Sequence, residues 1–285
     1  ELSEIIQDRK TKVNFLLGSN LANEDYVAFR EFSKSISDTE QSFYINDDLL
    51  YQGHFGQDNE LAKIDDLNSS DAIVVWAEDL KEKMPVLYLR VRQAVKKGVK
   101  LIVFGHTNKT LSDIADVFYG KETVSKNFEI IKDVSKLNEI KNYVVGKNIT
   151  AIIGKSTPQQ SDESIRELSE FLKSNSNTKI LNTYTKGNTY GAFQTLENIK
   201  GTKDFVDDIS SENTDLLFVV GADPVGRSFY SNEIKSILEN LDTVVSLDIF
   251  NHETAELSNF VIPVSSTLGE KEGTFTNIEF RTSRI

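Results

Sequence analysis

The residues able to do chemistry are few, and what is missing narrows the field first. The 285-residue chain has no Cys and only three histidines, His54, His106 and His252. Without thiolates it forms no disulfide, no Cys nucleophile and no Cys-ligated zinc or iron-sulfur site. The histidines are far apart in sequence with no HExxH spacing, so they read as surface or loop residues and not as metal ligands. A Ser/His/Asp hydrolase is equally unsupported, because no GxSxG elbow occurs. Gly18, Gly154 and Gly221 each follow an apolar run, where the backbone can turn sharply and N–H groups ahead of a helix can take a phosphate. Neither GxGxxG nor GxxxxGK[ST] is present, so plain turn glycines are the simpler reading and a nucleotide site the sharper one. In GADP, residues 221–224, Asp223 is placed to cap the next helix or to accept a hydrogen bond from a ligand at a strand end, capping being the simpler role. Glu253, Glu256, Glu270 and Glu272 lie in charge-rich stretches and read as solvated carboxylates rather than an acid/base pair.

These residues need elements to position them. Short runs rich in Val, Ile, Leu and Phe recur at 13–17, 72–76, 101–104, 151–153, 216–220 and 243–247, and read as buried strands. Helical spacing lies between several of them: Val86, Leu89, Val91, Ala94 and Val95, ending at Gly98, and then Ile165, Leu168, Phe171 and Leu172. Alternating strands and helices predict an α/β fold of two Rossmann-like lobes, with mainly parallel sheets flanked by helices. An internal echo supports two lobes. VNFLLGSN (13–20) matches TAIIGKS (150–156), SSDAIVVWAEDL (69–80) matches NTDLLFVVGADP (213–224), and KLIVFG matches TVVSLDIF. The lobes are expected at residues 1–140 and 141–285, with a soft boundary.

Composition limits the partners. A formal net charge of -12 disfavours nucleic acid or anionic lipid as the main partner, and 39% hydrophobic residues can fill a sizeable core. No apolar run approaches the roughly 20 residues that span a bilayer, so no direct membrane insertion is expected. The polar first residues are unlike a signal peptide, and residue 1 is not Met, which suggests a trimmed chain.

The most specific signal is the segment DIFNHETAELSNFVIPVSSTLGEKEGTFTNIEFR at 248–281. Its Glu253-Thr254-Ala255, Val261-Ile262-Pro263, Glu270 and residues 273–277 resemble the molybdopterin oxidoreductase superfamily. Members commonly carry a strand ending in Asp, then TETA, ADVVLP and ExGTFxNxEGR. Within it, EKMPVLYLRVRQAVKKGVKL at 82–101 looks most like the G-type (75-kDa) subunit of the respiratory NADH:quinone oxidoreductase, complex I, through Pro85, Val86, Leu87, Arg90, Arg92, Ala94 and Gly98.

That resemblance implies cofactor-binding positions at Gly18, Ser19, Asn188, Gly221, Asp223, Asp248 and Thr274, which the complex I branch would keep only as vestiges. Where cofactor-bearing members have a G-x-N-P turn and an Asp-Pro-Arg, this chain has WAEDL at 76–80 and FGHTN at 104–108. Trp76 in place of a turn glycine would crowd a phosphate. The implied function is a non-catalytic scaffold region of the complex I subunit, supporting electron transfer from NADH to quinone. It would hold no cofactor itself, with iron-sulfur clusters in an N-terminal domain outside this stretch. Its partners would be other peripheral-arm subunits, on the cytoplasmic face of the inner membrane or the mitochondrial matrix side. The alternative is the cofactor-binding region of a molybdopterin guanine dinucleotide enzyme such as a formate dehydrogenase.

Overall fold

A computed structural model describes residues 2–47, 61–76, 80–104, 109–119, 138–154, 162–184, 186–266 and 269–285. The chain forms two compact units, one from Glu1–Leu49 with Lys186–Ile285 and the other from Leu50–Thr185. In the first, β1 (Val13–Leu17), β2 (Phe43–Ile45), β8 (Leu216–Val220), β9 (Thr243–Asp248) and β10 (Phe260–Pro263) form a sheet of order β10-β9-β8-β1-β2. In the second, β3 (Ala72–Trp76), β4 (Lys100–Phe104), β5 (Val117–Tyr119), β6 (Asn148–Ile153) and β7 (Asn177–Asn182) form one of order β5-β4-β3-β6-β7. All pairings in both sheets are parallel. A short antiparallel hairpin, β11 (Thr274–Thr276) with β12 (Thr282–Arg284), belongs to the first unit.

The α/β class follows from the strand and helix alternation, but the division of the chain does not fall at 140. A cut there would take β1 and β2 from β8 and take β6 and β7 from β3. The pairing is fixed by side chains that no local pattern reveals. Phe15 of β1 sits opposite both Phe43 of β2 and Phe218 of β8, and its ring stacks on them at centroid distances of 5.0 and 5.2 Å. Polar groups lock the same register: Asn14 donates from Nδ2 to Thr214 Oγ1 at 2.8 Å and accepts from the Ser42 N–H at 2.8 Å. Every residue of β1, β3 and β8 is buried. Such buried, largely apolar strands fit the middle of any parallel sheet, so composition does not choose their neighbours.

The echo reappears in the topology. The consecutive strands β3-β4-β5 occupy in one sheet the places of β8-β9-β10 in the other, and β6-β7 occupy the places of β1-β2. The repeated halves therefore exist, but each completes its sheet with two strands from the other half.

Helices join the strands. Pro85–Lys96, between β3 and β4, begins with Pro at its first position and buries Leu87, Tyr88, Val91 and Ala94. It ends at Gly98, whose φ of 100° lets the Gly98 and Val99 N–H groups bond back to Val95 and Ala94 carbonyls at 2.9 and 3.2 Å. Its family-like motif thus supplies an amphipathic packing face, with Val86 and Leu89 outside.

Trp76 does not occupy a turn. It is the last residue of β3, opposite Phe104 and Ile153, fully buried, with its ring 5.3 Å from that of Phe104. The Gly154 N–H bonds the Trp76 carbonyl at 2.9 Å, as the Gly18 N–H bonds that of Val220 at 2.7 Å. Trp76 therefore corresponds to Val220 and not to the turn glycine Gly221, and it fills core rather than crowding a ligand. Residues 77–79 and 105–108, the latter including His106, lie outside the described residues, as does His54. No described helix is long and apolar enough to cross a membrane.

The indole Nε1 of Trp76 is buried and has no hydrogen-bond partner among the described residues. Trp76→Ala should therefore cost about 3–5 kcal/mol by cavity formation. Trp76→Phe should cost less, since it also removes the unpaired donor; urea unfolding of the two variants measures both.

Candidate functional site

In the first unit, the chain leaves β1 towards β2 on one side and β8 towards β9 on the other. The strand order reverses between β1 and β8, and open parallel sheets bind ligands outside the strand carboxyl ends at such a point. A cavity of about 670 Å³ opens there. Residues 18–21 beyond β1, Asn46 beyond β2, residues 220–223 at the end of β8, residues 247–250 at the end of β9 and residues 264–266 beyond β10 line it.

Two glycines allow the strand ends to meet. A Cβ on Gly18 would lie 1.9 Å from the Gly221 carbonyl oxygen. Gly221 has φ of 59°, and a Cβ there would lie 2.7 Å from Leu21 Cδ2. Both are required by backbone and side-chain packing at the turn. The buried Tyr26 hydroxyl donates to the Gly18 carbonyl at 2.8 Å; burial raises its pKa, so the phenol stays protonated and the turn stays tied to the helix Asn23–Ile36. Between β1 and that helix, the Leu21 N–H donates to the Tyr26 hydroxyl oxygen, while those of Ser19 and Asn20 have no acceptor among the described residues. Ser19 and Asn20 line the cavity, where unpaired backbone N–H groups can take an anion.

The opposite wall is acidic. Asp223 caps the short helix Pro224–Arg227: its Oδ1 accepts from the Gly226 N–H at 3.1 Å. The same oxygen accepts from the Thr254 hydroxyl at 2.8 Å and the Thr254 N–H at 3.3 Å. Burial pushes the Asp223 carboxyl upward, but these donors together with His252 outweigh it and hold its pKa below the usual range. Asp248, at the end of β9, accepts from the Ile249 and Phe250 N–H groups at 2.7 and 3.2 Å. His252 stands between the two aspartates, with Nδ1 3.3 Å from Asp223 Oδ1 and Nε2 3.1 Å from Asp248 Oδ2.

The structure thus brings Gly18, Ser19, Gly221, Asp223 and Asp248 to one cavity, and places Asn188 and Thr274 elsewhere. Asn188 is fully buried. Its Nδ2 donates to the Leu21 carbonyl and Asn23 Oδ1 at 2.7 and 2.9 Å, and its Oδ1 accepts from the Thr276 N–H at 2.7 Å. Thr274 donates from its hydroxyl and its N–H to the Glu24 carboxylate at 2.8 and 2.9 Å. The EKEGTFTN stretch is therefore a clasp on the start of the helix Asn23–Ile36, reinforced by Lys271, which pairs with Asp25 at 2.6 Å. Sequence reasoning missed Lys186, Arg227 and Lys271 at the cavity and took His252 for an ordinary loop residue. Only one local signal marks His252, its position just before the helix Glu253–Glu256, where a side-chain acceptor is needed. Glu253, Glu256, Glu270 and Glu272 are exposed, as expected of solvated carboxylates. Among the described residues no group of three or more candidate ligands is placed to hold a metal ion.

Comparison with known proteins assigns the class. A model of the molybdopterin oxidoreductase family matches residues 1–285, and the chain belongs to that family. Similar proteins include the F420-dependent formate dehydrogenase 2 subunit alpha of Methanococcus maripaludis, 36% identical over an alignment 104 residues long that covers 33% of this chain and 15% of that protein. A putative formate dehydrogenase of Bacillus subtilis is 39% identical over 69 residues, 24% of this chain and 7% of the relative. The assimilatory nitrate reductase catalytic subunit of the same organism is 40% identical over 65 residues, 23% of this chain and 9% of the relative. The matched stretches thus cover a small part of these relatives' own length.

Two outcomes follow from the geometry. Gly18→Ala should lower stability by about 1–3 kcal/mol, because the added methyl group meets a backbone carbonyl that cannot turn away; thermal unfolding measures it. Asp223→Asn should lower stability at pH 7. Since the folded carboxyl titrates below its unfolded value of about 3.9, this loss should narrow as pH falls through the folded pKa, as unfolding curves between pH 7 and 2 would show.

Proposed function

We propose that this chain is part of the cofactor-binding region of a molybdopterin enzyme of formate dehydrogenase type, and that the cavity of its first unit receives the nucleotide portion of a molybdopterin guanine dinucleotide. The observation that carries the reading is the cavity at the β1/β8 reversal, with free N–H groups on one wall and carboxylates on the other. Its volume suits a nucleotide. The N–H groups of Ser19 and Asn20, with Lys186 at the same cavity, would hold phosphate oxygens. Asp248, already fixed by two backbone donors, would accept N–H groups of a base or hydroxyls of a ribose. The molybdenum centre would supply the redox chemistry, and the protein its orientation and surroundings.

The relatives support this reading over the complex I scaffold, because they are formate dehydrogenase and nitrate reductase subunits. The helix Pro85–Lys96, which suggested the complex I branch, has a packing role that any branch can use. On this proposal formate is the substrate class. The partners are further polypeptide of the catalytic subunit and an electron-accepting subunit, in place of the peripheral-arm subunits of complex I. Any iron-sulfur cluster lies outside this Cys-free stretch.

Titration calorimetry of the chain with GDP tests the proposal. One molecule should bind per chain, and Asp248→Ala should weaken binding about tenfold, the equivalent of one good hydrogen bond to a charged group. Failure to bind GDP, or equal affinity in the variant, overturns it.

A further inference from the structure

The backbone donors and Asp248 have a task at the proposed site, but the side chains that follow Asp248 have none. Phe250 is 69% exposed, more than any other large apolar residue among those described, and Ile249 before it is 46% exposed. Both line the cavity, as does the exposed Val264, whose N–H bonds the Asp248 carbonyl at 3.3 Å. Leu21, Val220 and Ala222, which also line it, are buried. Phe229 is 62% exposed too, yet its ring packs edge-on against Tyr230 at 5.4 Å, whereas no ring pairs with Phe250 among the described residues. Leaving a phenyl ring in water forgoes the stabilisation that burial would give, and at the wall of a cavity it leaves that surface to a ligand.

We infer that Phe250 is the stacking platform for the base of a nucleotide in this cavity, so that the site selects a nucleotide over a bare diphosphate. The inference rests on the reading of the cavity as a nucleotide site. Its geometric ground is the turn that follows β9. Asp248 Oδ1 accepts from the Ile249 and Phe250 N–H groups at 2.7 and 3.2 Å, so the carboxylate and the backbone carrying the ring are tied to each other. Only Cα and Cβ separate the phenyl ring from that bonded nitrogen. A planar base whose N–H groups donate to the Asp248 carboxylate therefore lies within reach of the Phe250 ring. The two contacts differ in kind: the carboxylate reads donors at the edge of the base, and the ring covers its face. Since every base has a π-face, stacking adds affinity without choosing among bases, and the choice falls to Asp248.

Calorimetry with two probes, GDP and inorganic pyrophosphate, tests the inference. Phe250→Ala should weaken GDP binding about tenfold, within the range found for loss of one base–aromatic stack, and should leave pyrophosphate affinity unchanged because that probe has no base. Phe250→Leu, which keeps apolar bulk without a π-face, should also weaken GDP binding. Phe250→Trp should bind GDP at least as tightly as the natural chain, and the fluorescence of the new indole should be quenched as GDP binds, over the steady background of the buried Trp76. Because the Phe250 side chain is exposed, all three variants should unfold in urea at the midpoint of the natural chain. Natural GDP affinity in Phe250→Ala, or an equal loss of GDP and pyrophosphate affinity there, overturns the inference while leaving the nucleotide site standing. A natural chain that ignores GDP overturns both.

Discussion

The parallel pairing of β1 with β8 is the constraint on which the first unit depends. These strands are two hundred residues apart, and the whole second unit lies between them in sequence. Their contact is secured at three levels: apolar residues buried along both strands, the stacked rings of Phe43, Phe15 and Phe218, and the Asn14–Thr214 hydrogen bond. Cross-strand aromatic pairs each add only about 0.2–1 kcal/mol, but they act together on one register. Because a slip by one residue would turn each side chain to the other face, the register is strongly specified. At the end of the pair the backbones approach so closely that only glycine fits at Gly18.

The site inherits its geometry from this pairing. With the chain departing in opposite directions beyond β1 and β8, a crevice is left between the two turns, and no loop has to be built specially to make it. Backbone donors enter from the β1 side, and carboxylates enter from β8 and β9. The family-specific C-terminal stretch acts one step removed. Its hairpin grips Glu24 and Asp25 at the start of the first long helix, and Asn188 ties the hairpin to Leu21 and Asn23. A motif that reads as ligand-binding in the sequence thus includes residues whose observed contacts hold the loop that faces the cavity.

Asp223 shows how one side chain can serve both purposes. It caps a helix, as its position before Pro224 suggests, and its Oδ1 also fixes Thr254 of the helix Glu253–Glu256. The two turns are thereby joined across the cavity wall. His252, capping the helix that carries Thr254, continues the same network to Asp248. Multiple donors keep Asp223 ionised against the opposing effect of burial, so the acidic wall is a fixed property of the fold rather than a surface accident.

The sequence by itself determined the α/β class, the strand positions, the repeat and the turn glycines, because strand burial and helical spacing are local periodicities. It also marked Asp223 as a cap and Asp248 as a strand end. Only the tertiary structure decided which strands share a sheet, since β1, β3, β6 and β8 are largely apolar strands that composition cannot tell apart. For the same reason Trp76 was misplaced by sequence comparison: its role as the last buried residue of β3 depends on lying opposite Phe104 and Ile153. The separation of Asn188 and Thr274 from the cavity, and the meeting of His252 with two aspartates, were likewise beyond the sequence. Those contacts join residues from separate loops, and the distance between such side chains is set by packing, not by spacing along the chain.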